Sequence, residues 1–362
     1  MRLVDVRHYR PERVVTKEET VDLFRHYSKP YFPDEGMLNE VVRITDKLLT
    51  HAQFKQALVR GPEEPYYKNF IEMTRKMIKD SGINPKDIGA VAYCGVTKGY
   101  LEPATACQMA AHLGLHHVEF FDIGDACNGW SRTSRIVDGL LRRGGYKSIL
   151  VLSLEFGRSK FWGGATARTD DFHGIFSLRS MKELDWRIWA ATIAETGTAT
   201  LFERDDSNDW YFDYDCQSAE FEDCAFLLPN HCDFEMNPLV FDGKELTGVN
   251  DQIVFYAYAK RIGESIKKHL PPLILKAQQH VGEASVIVPH SLSSAVYEPL
   301  FRALSLHEKA VYPFNEYGNC VSCGVPAGIA MAIEQGKLKR GDRVVLTPTG
   351  SGSSAGVISF KY

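Results

Sequence analysis

Nowhere does the chain carry the roughly 18 successive apolar residues that a membrane span needs, so no membrane partner is expected. Its opening stretch, MRLVDVRHYRPERV, lacks the apolar core of a secretion leader. Neither sign of charge dominates. The 42 Lys and Arg stand against 46 Asp and Glu, a net charge of -4, which excludes the basic footprint of a nucleic-acid binder. Cysteine is sparse, at 8 in 362 residues, too few for a disulfide framework, and this favours a reducing cytoplasm. What is present, 44% hydrophobic and 24% charged residues, suits a soluble enzyme or binding protein. At roughly 150 residues per domain, the length suggests two domains or one large layered unit.

Two patterns alternate along the chain. The β-branched runs AVAYCG (90–95), SILVLS (148–153), SVIVPH (285–290) and RVVLTP (343–348) read as buried strands. Between them lie helical stretches, among them PYYKNFIEMTRKMIKDSG, ATACQMAAHLG, NGWSRTSRIVDGLLRRGG, QIVFYAYAKRIGESIKKHL and GVPAGIAMAIEQGK. Such alternation predicts an α/β fold of sheets covered by helices. Residues 25–65 read as irregular. The stretch from about 155 to 190 reads as an inserted lid or tunnel wall, because it holds three of the five tryptophans with little periodicity.

The strand-like runs also repeat. Ala90 and Ser148 lie 58 positions apart, and so do Ser285 and Arg343. Each pair encloses a cysteine-containing turn followed by a helix: DACNGW in the first half and GNCVSCG in the second. The two halves are thus related by an offset of 195, which sets Cys127 opposite Ser322. A duplication of this kind predicts two similar α/β halves, residues 1–204 and 205–362, packed against each other.

The chemistry concentrates where those halves meet. Cys127 follows a strand-like FFDI and a small-residue turn and opens a helix, where the dipole and free N–H groups favour the nucleophilic thiolate. His290 ends a strand of the second half, on the sheet edge where catalytic groups of α/β proteins gather. Asn319 precedes the helix that mirrors the one after Cys127. A thiol with two such donors can hold an acyl group and stabilise an oxyanion. The loop TPTGSGSSAG (347–356) lacks the spacing and lysine of a phosphate loop, and its glycines suit close approach of the backbone to a thioester.

These residues, in order, resemble the thiolase superfamily, and within it β-ketoacyl-ACP synthase III. The resemblance runs through PERVVTKEE, SGINPKDIGAVAYCGVT, PATACQMAAHLG, DACNGW, ATIAETGTATLF, VPHSLSSAV and YGNCVSCGVPAGIAMAIEQGKLKRGDRVVLTPTGSG. It implies a duplicated, five-layered αβαβα thiolase fold. Cys127 is then the acylated nucleophile, and His290 with Asn319 forms one oxyanion hole. The backbone N–H groups of Cys127 and Gly352 form the other. The resemblance further implies a homodimer that takes acyl groups from coenzyme A or acyl carrier protein, with no permanently bound cofactor and no metal. Three departures stand out. His290-Ser291-Leu292-Ser293 replaces the family's His-Gln-Ala-Asn, and RITDKLLTHAQF replaces its Thr-Gly-Ile-Arg-x-Arg, so Arg43 and Lys47 receive no coenzyme role. Gly350-Ser351-Gly352-Ser353 stands for Gly-Gly-Gly-Phe. A specialised polyketide or fatty-acid-derived pathway is expected rather than housekeeping initiation.

Glu102, in YLEPATACQ, stands where typical members carry an aromatic that crosses to the partner's acyl pocket. In relatives that join two acyl chains a glutamate there resembles the base of a non-decarboxylative Claisen step. The expected function is therefore C–C bond formation between an acyl group on Cys127 and a second thioester. The alternatives are acyl transfer to oxygen or nitrogen by the same Cys–His pair, and a non-catalytic partner subunit. Cys320-x-x-Cys323 reads as structural thiols, with Cys320 a possible neighbour of the site. Cys216, Cys224 and Cys232 beside His231 match no common zinc module. Arg158, Trp162 and Arg168 are candidates to stack on a coenzyme adenine.

Overall fold

The computed structural model describes residues 1–98, 102–156, 173–207, 210–227, 240–241, 244–245 and 254–362. Two five-stranded sheets organise them. In the first, strands run in the order Arg2–Tyr9, Thr196–Glu203, Ser148–Glu155, Ile88–Tyr93, Glu119–Asp122. The last three are mutually parallel and the first two antiparallel. The second repeats the scheme: Val286–Pro289 pairs parallel with Arg343–Thr347, which pairs antiparallel with Ser354–Lys361, which pairs antiparallel with Tyr211–Cys216. Even the parallel edge strand has a vestige, a single bridge between Ile287 and Ala310.

Side-chain alternation explains the layering. Ala90, Ala92, Ile149 and Val151 face one way and pack with the helices Gly129–Arg142 and Gly324–Glu334. Val286, Val288, Val344 and Leu346 reach the same helices from the second sheet. Their neighbours point outward. Val91, Leu150 and Leu152 meet the helices Tyr66–Asp80 and Thr105–Leu113, while Ile287 and Val345 meet Ala259–Val281 and Ser294–Ala303. The result is helix, sheet, helix pair, sheet, helix: the five layers of the αβαβα fold. The runs AVAY and VIVP are apolar on both faces because each sheet is covered on both.

Two expectations are corrected. Residues 25–65 are largely ordered into helices, Lys17–Ser28 and Glu35–His51, followed by a strand at Gln56–Val59. Thr16 and Glu19 form a capping box at the first, and Leu38, Val41, Val42, Thr45 and Leu49 give the second a buried stripe at helical spacing. In QIVFYAYAKRIGESIKKHL the apolar VFYA is a strand, Val254–Ala257, and the helix runs on from Ala259 through Pro271 and Pro272 to Val281. Part of the inserted stretch packs under those N-terminal helices, with Ile175, Phe176, Leu184 and Ile188 buried against Phe24 and Val41. Residues 157–172, with Arg158, Trp162 and Arg168, lie outside the described residues, as do His231 and Cys232. Among the described residues no helix is long and apolar enough to cross a membrane.

Candidate active site

Cys127 sits in a single turn, Ala126–Asn128, between the strand ending at Asp122 and the helix that starts at Gly129. Ala126 is forced to φ +42°, a conformation L-residues avoid, which makes the turn sharp. The mirrored turn, Val321–Cys323 before Gly324, repeats the device, with Val321 at φ +50°. Ala126 and Val321 keep the offset of 195, and the two turns pack against each other.

One cavity of about 510 Å³ is lined by Cys127, His290, Asn319 and Gly352 together. Its walls are mainly apolar, from Leu48, Trp189, Phe255, Ile262, Val296 and Phe314. His290 is 3% exposed, and its backbone N–H donates to Thr347 O at 3.1 Å, fixing it at the end of its strand. Asn319 is held from both sides. Its N–H donates to Thr192 O at 2.7 Å, and its carbonyl accepts from Ala194 N–H at 2.8 Å. Its side-chain Oδ1 accepts from Val321 N–H at 3.0 Å, which leaves the Nδ2 group as donor.

Gly352 lies in the loop between Thr349–Gly350 and Ser354–Lys361, at φ +129°, a region reserved for glycine. The loop docks on the Cys127 turn so closely that a Cβ on Gly350 would come 3.2 Å from Asn128 N and 2.8 Å from its Nδ2. Arg132 clamps the junction: it donates to Asp125 Oδ2 at 2.7 Å and to Ser354 Oγ at 3.1 Å, over the Tyr214 ring. The sequence reading did not find Arg132, since one basic residue in an amphipathic helix carries no signal of its own.

The electrostatics correct one expectation. Burial pushes the Cys127 thiol well above its ordinary value, and the charges of Cys224, Glu155 and Asp125 push the same way. The helix-end argument for a resting thiolate therefore fails here: a single turn among protein atoms solvates an anion worse than water does. The thiol opens onto the cavity. His290 is pushed down to about 3 by burial, so its imidazole is neutral at neutral pH. Its Nδ1 has no hydrogen-bond partner among the described residues and faces Gly324, where a Cβ would stand 2.7 Å away. The resting pair is a neutral thiol and a neutral imidazole.

Glu102 is exposed on its own chain and does not line the cavity. It stands just before the helix Thr105–Leu113, whose first N–H groups are capped by Asp122 at 2.9 and 3.0 Å. Cys320 and Cys323 are buried free thiols outside the cavity wall, both raised by burial, Cys323 to about 12. Cys224, in contrast, lines the cavity, and burial raises it to about 11.

Known proteins are similar to this chain. Residues 275–362 match the family model for the C-terminal part of 3-oxoacyl-[acyl-carrier-protein] synthase III. The β-ketoacyl-[acyl-carrier-protein] synthase III of Rickettsia massiliae is 21% identical over 342 residues, covering 92% of this chain and 97% of that protein. The Clostridium perfringens protein of the same name is 24% identical over 301 residues, covering 80% and 83%. Among solved structures, a cysteine-to-serine variant of Xanthomonas campestris OleA with bound lauric acid and lauroyl-CoA superposes with a TM-score of 0.78 at 18% identity, covering 99% of this chain and 98% of that one. Cerulenin-bound OleA from the same organism gives 0.77 at 19%, with 99% and 96% covered. The fold is thus the thiolase fold.

Proposed function

We propose that this chain, a β-ketoacyl-ACP synthase III-like protein of the thiolase superfamily, joins two acyl thioesters through a carbon–carbon bond, with Cys127 carrying the first acyl group. One observation carries the reading: a single apolar-walled cavity is lined by a thiol, an imidazole, a carboxamide and a glycine-rich loop. The half spanning 1–204 supplies Cys127, and the half spanning 205–362 supplies His290, Asn319 and Gly352.

In the first step Cys127 sulfur attacks the thioester carbonyl while its proton passes to the neutral His290 imidazole. The N–H groups of Cys127 and Gly352 receive the developing oxyanion. Collapse expels the donor thiol, which takes the proton back, so His290 returns to its neutral form. In the second step the incoming thioester loses carbon dioxide or a proton from the carbon beside its carbonyl. Asn319 Nδ2 donates to the enolate oxygen, as does His290 once its ring proton has moved to the cavity-side nitrogen, and the carbanion attacks the Cys127-bound carbonyl. A C–C bond forms, the C–S bond breaks, and Cys127 leaves as thiolate, reprotonated by water in the decarboxylative route or by the proton removed from the substrate in the other. Glu102, exposed on its own chain, would act as the proton acceptor of a non-decarboxylative reaction in the cavity of a second copy in a homodimer. Coenzyme A or acyl carrier protein would deliver the acyl groups, in a specialised pathway of polyketide or fatty-acid-derived products.

The test is an intact-mass measurement after incubation with acyl-CoAs of graded chain length, followed by peptide mapping. An acyl adduct on Cys127 is expected, and a second thioester then yields a product with a new C–C bond. Glu102→Ala keeps the adduct and loses the condensation product. A protein that acylates no residue overturns the reading, and an ester or amide product replaces it by acyl transfer to oxygen or nitrogen.

A further inference from the structure

Behind the cavity lies a carboxylate that the mechanism above does not use. Glu155 ends the strand Ser148–Glu155 and is 5% exposed. Its Oε1 accepts from Val96 N–H at 2.9 Å and from the Ser322 hydroxyl. Its Oε2 accepts from both Thr97 N–H and Thr97 Oγ–H at 3.3 Å. Among the described residues no cation forms an ion pair with it. A buried carboxylate held by neutral donors alone costs several kcal/mol relative to an apolar residue, so packing does not account for its presence. Its chemistry does: a carboxylate accepts four hydrogen bonds and offers none, which glutamine, with two N–H donors of its own, cannot match.

What it ties together is informative. Ser322 lies three residues after Asn319 and is the mirror of Cys127 across the duplication. Val96 and Thr97 stand at the head of the segment that leads to Glu102. The same spot is dense in other polar groups: Ser153 bonds both Ser322 and the Cys323 thiol. The titratable groups facing Glu155 are Tyr93, Cys94, Cys127, Cys320 and Cys323, every one an acid and none a base at neutral pH.

We propose that Glu155 is a positioning residue: as a buried acceptor it holds the Asn319 turn and the Val96–Thr97 stretch in one arrangement across from Cys127. This rests on the reading of Asn319 and Cys127 given above. It has a second consequence that hydrogen bonding alone lacks. Burial pushes the Glu155 carboxyl above its ordinary value while its hydrogen bonds pull it down. Wherever it is ionised its charge disfavours the Cys127 thiolate, so its removal makes the thiol easier to ionise.

The experiment uses the full chain, with Glu155→Gln as a near-isosteric neutral variant and Ser322→Ala as a second that keeps the carboxylate. Iodoacetamide alkylation of Cys127, followed by peptide mapping from pH 6 to 10, needs no substrate. In E155Q the profile moves to lower pH, with alkylation at pH 8 faster by about threefold or more. Condensation in both variants falls about tenfold or more, with KM for the acyl-CoA nearly unchanged, and S322A keeps the wild-type alkylation profile. A wild-type alkylation profile in E155Q overturns the assignment, and so does wild-type condensation in S322A. A shifted profile in a protein that makes no condensation product would keep Glu155 as the anion beside Cys127 and remove the reading of the reaction instead.

Discussion

The turns at 126–128 and 321–323 share a backbone and differ in what surrounds them. Both place a non-glycine residue at positive φ, both make one tight turn, and both pass into a buried helix that starts with glycine. In the first, the central side chain is Cys127, which opens onto the cavity. In the second it is Ser322, which is fully buried and spends its hydroxyl on Glu155 and Ser153. Duplication supplied the same scaffold twice, and the surroundings opened one copy to the cavity and buried the other. The lesson is that access and partners distinguish two turns that share a backbone.

The sharpest way to break that contrast is to exchange the two side chains. Cys127→Ser should abolish the acyl adduct and lower turnover on the order of 10³-fold or more, because a hydroxyl without a strong base is a far weaker nucleophile. Ser322→Cys adds a thiol at the mirrored position yet should yield no second adduct, since that position is fully buried and does not line the cavity that holds Cys127. Intact mass with acyl-CoA reads both. An adduct mapped to position 322 would show that backbone alone confers reactivity and would undo the comparison.

That contrast also separates what could be read from the sequence from what could not. Equal spacing of 58 between paired strands, and the offset of 195, were visible because β-branched runs and glycine-bounded helices mark their own positions. The same offset recurs in Ala126 and Val321, which no composition argument could have singled out. Cys127, His290 and Asn319 were legible as chemistry-bearing residues at strand and helix ends, and the fold brings them to one cavity. Glu155 was hidden because SILVLSLE reads as an apolar strand with a charged end, and its four donors come from remote segments. The ionisation of Cys127 was misjudged for a related reason: the helix-end field is local in sequence, whereas burial is not. Helices at 17–28 and 35–51 were missed because their apolar positions are interleaved with charge.

A finer test compares the two glycines that start the mirrored helices. An added Cβ on Gly129 would sit 2.4 Å from the carbonyl oxygen of Cys94, a main-chain atom in the first sheet's core layer. On Gly324 it would sit 2.4 Å from Ser291 Oγ and 2.7 Å from His290 Nδ1. Both residues have helical φ and ψ, so alanine gains roughly 1 kcal/mol of intrinsic propensity in each, and the clash decides the sign. Gly129→Ala should cost about 2 to 3 kcal/mol of stability, since main chain yields poorly. Gly324→Ala should cost less, about 1 to 2 kcal/mol, but displace His290 and lower turnover about tenfold. Urea melts and steady-state rates measure the two axes. Equal stability losses with unchanged rates would mean that His290 tolerates displacement and does not act in the reaction.

The smallest effect compares buried imidazoles rather than turns. His8 in the first half and His290 in the second are each pushed down to about 3 by burial. His8 Nε2 bonds Thr196 Oγ1 at 2.5 Å and the ring packs on Tyr317, while Nδ1 of both imidazoles has no partner among the described residues. For both, the folded value lies below the unfolded value near 6.5, so the unfolded chain takes up protons first as pH falls. Their contribution is therefore fully present above about pH 6.5 and drains away toward pH 3, by roughly 1 kcal/mol per pH unit for each. Ordinary carboxylates barely titrate between pH 7 and 5.5, and Glu155, raised by burial, works with the opposite sign, so a net loss there comes from the histidines. Urea melts at those two values should show a loss of roughly 2 kcal/mol, and His8→Gln should remove about half of it while leaving acylation of Cys127 intact. A stability that stays level from pH 7 to 5.5 would mean that the imidazoles are reached by water or a counter-charge in solution. The neutral His290 from which the proton transfer starts would then have to be given up.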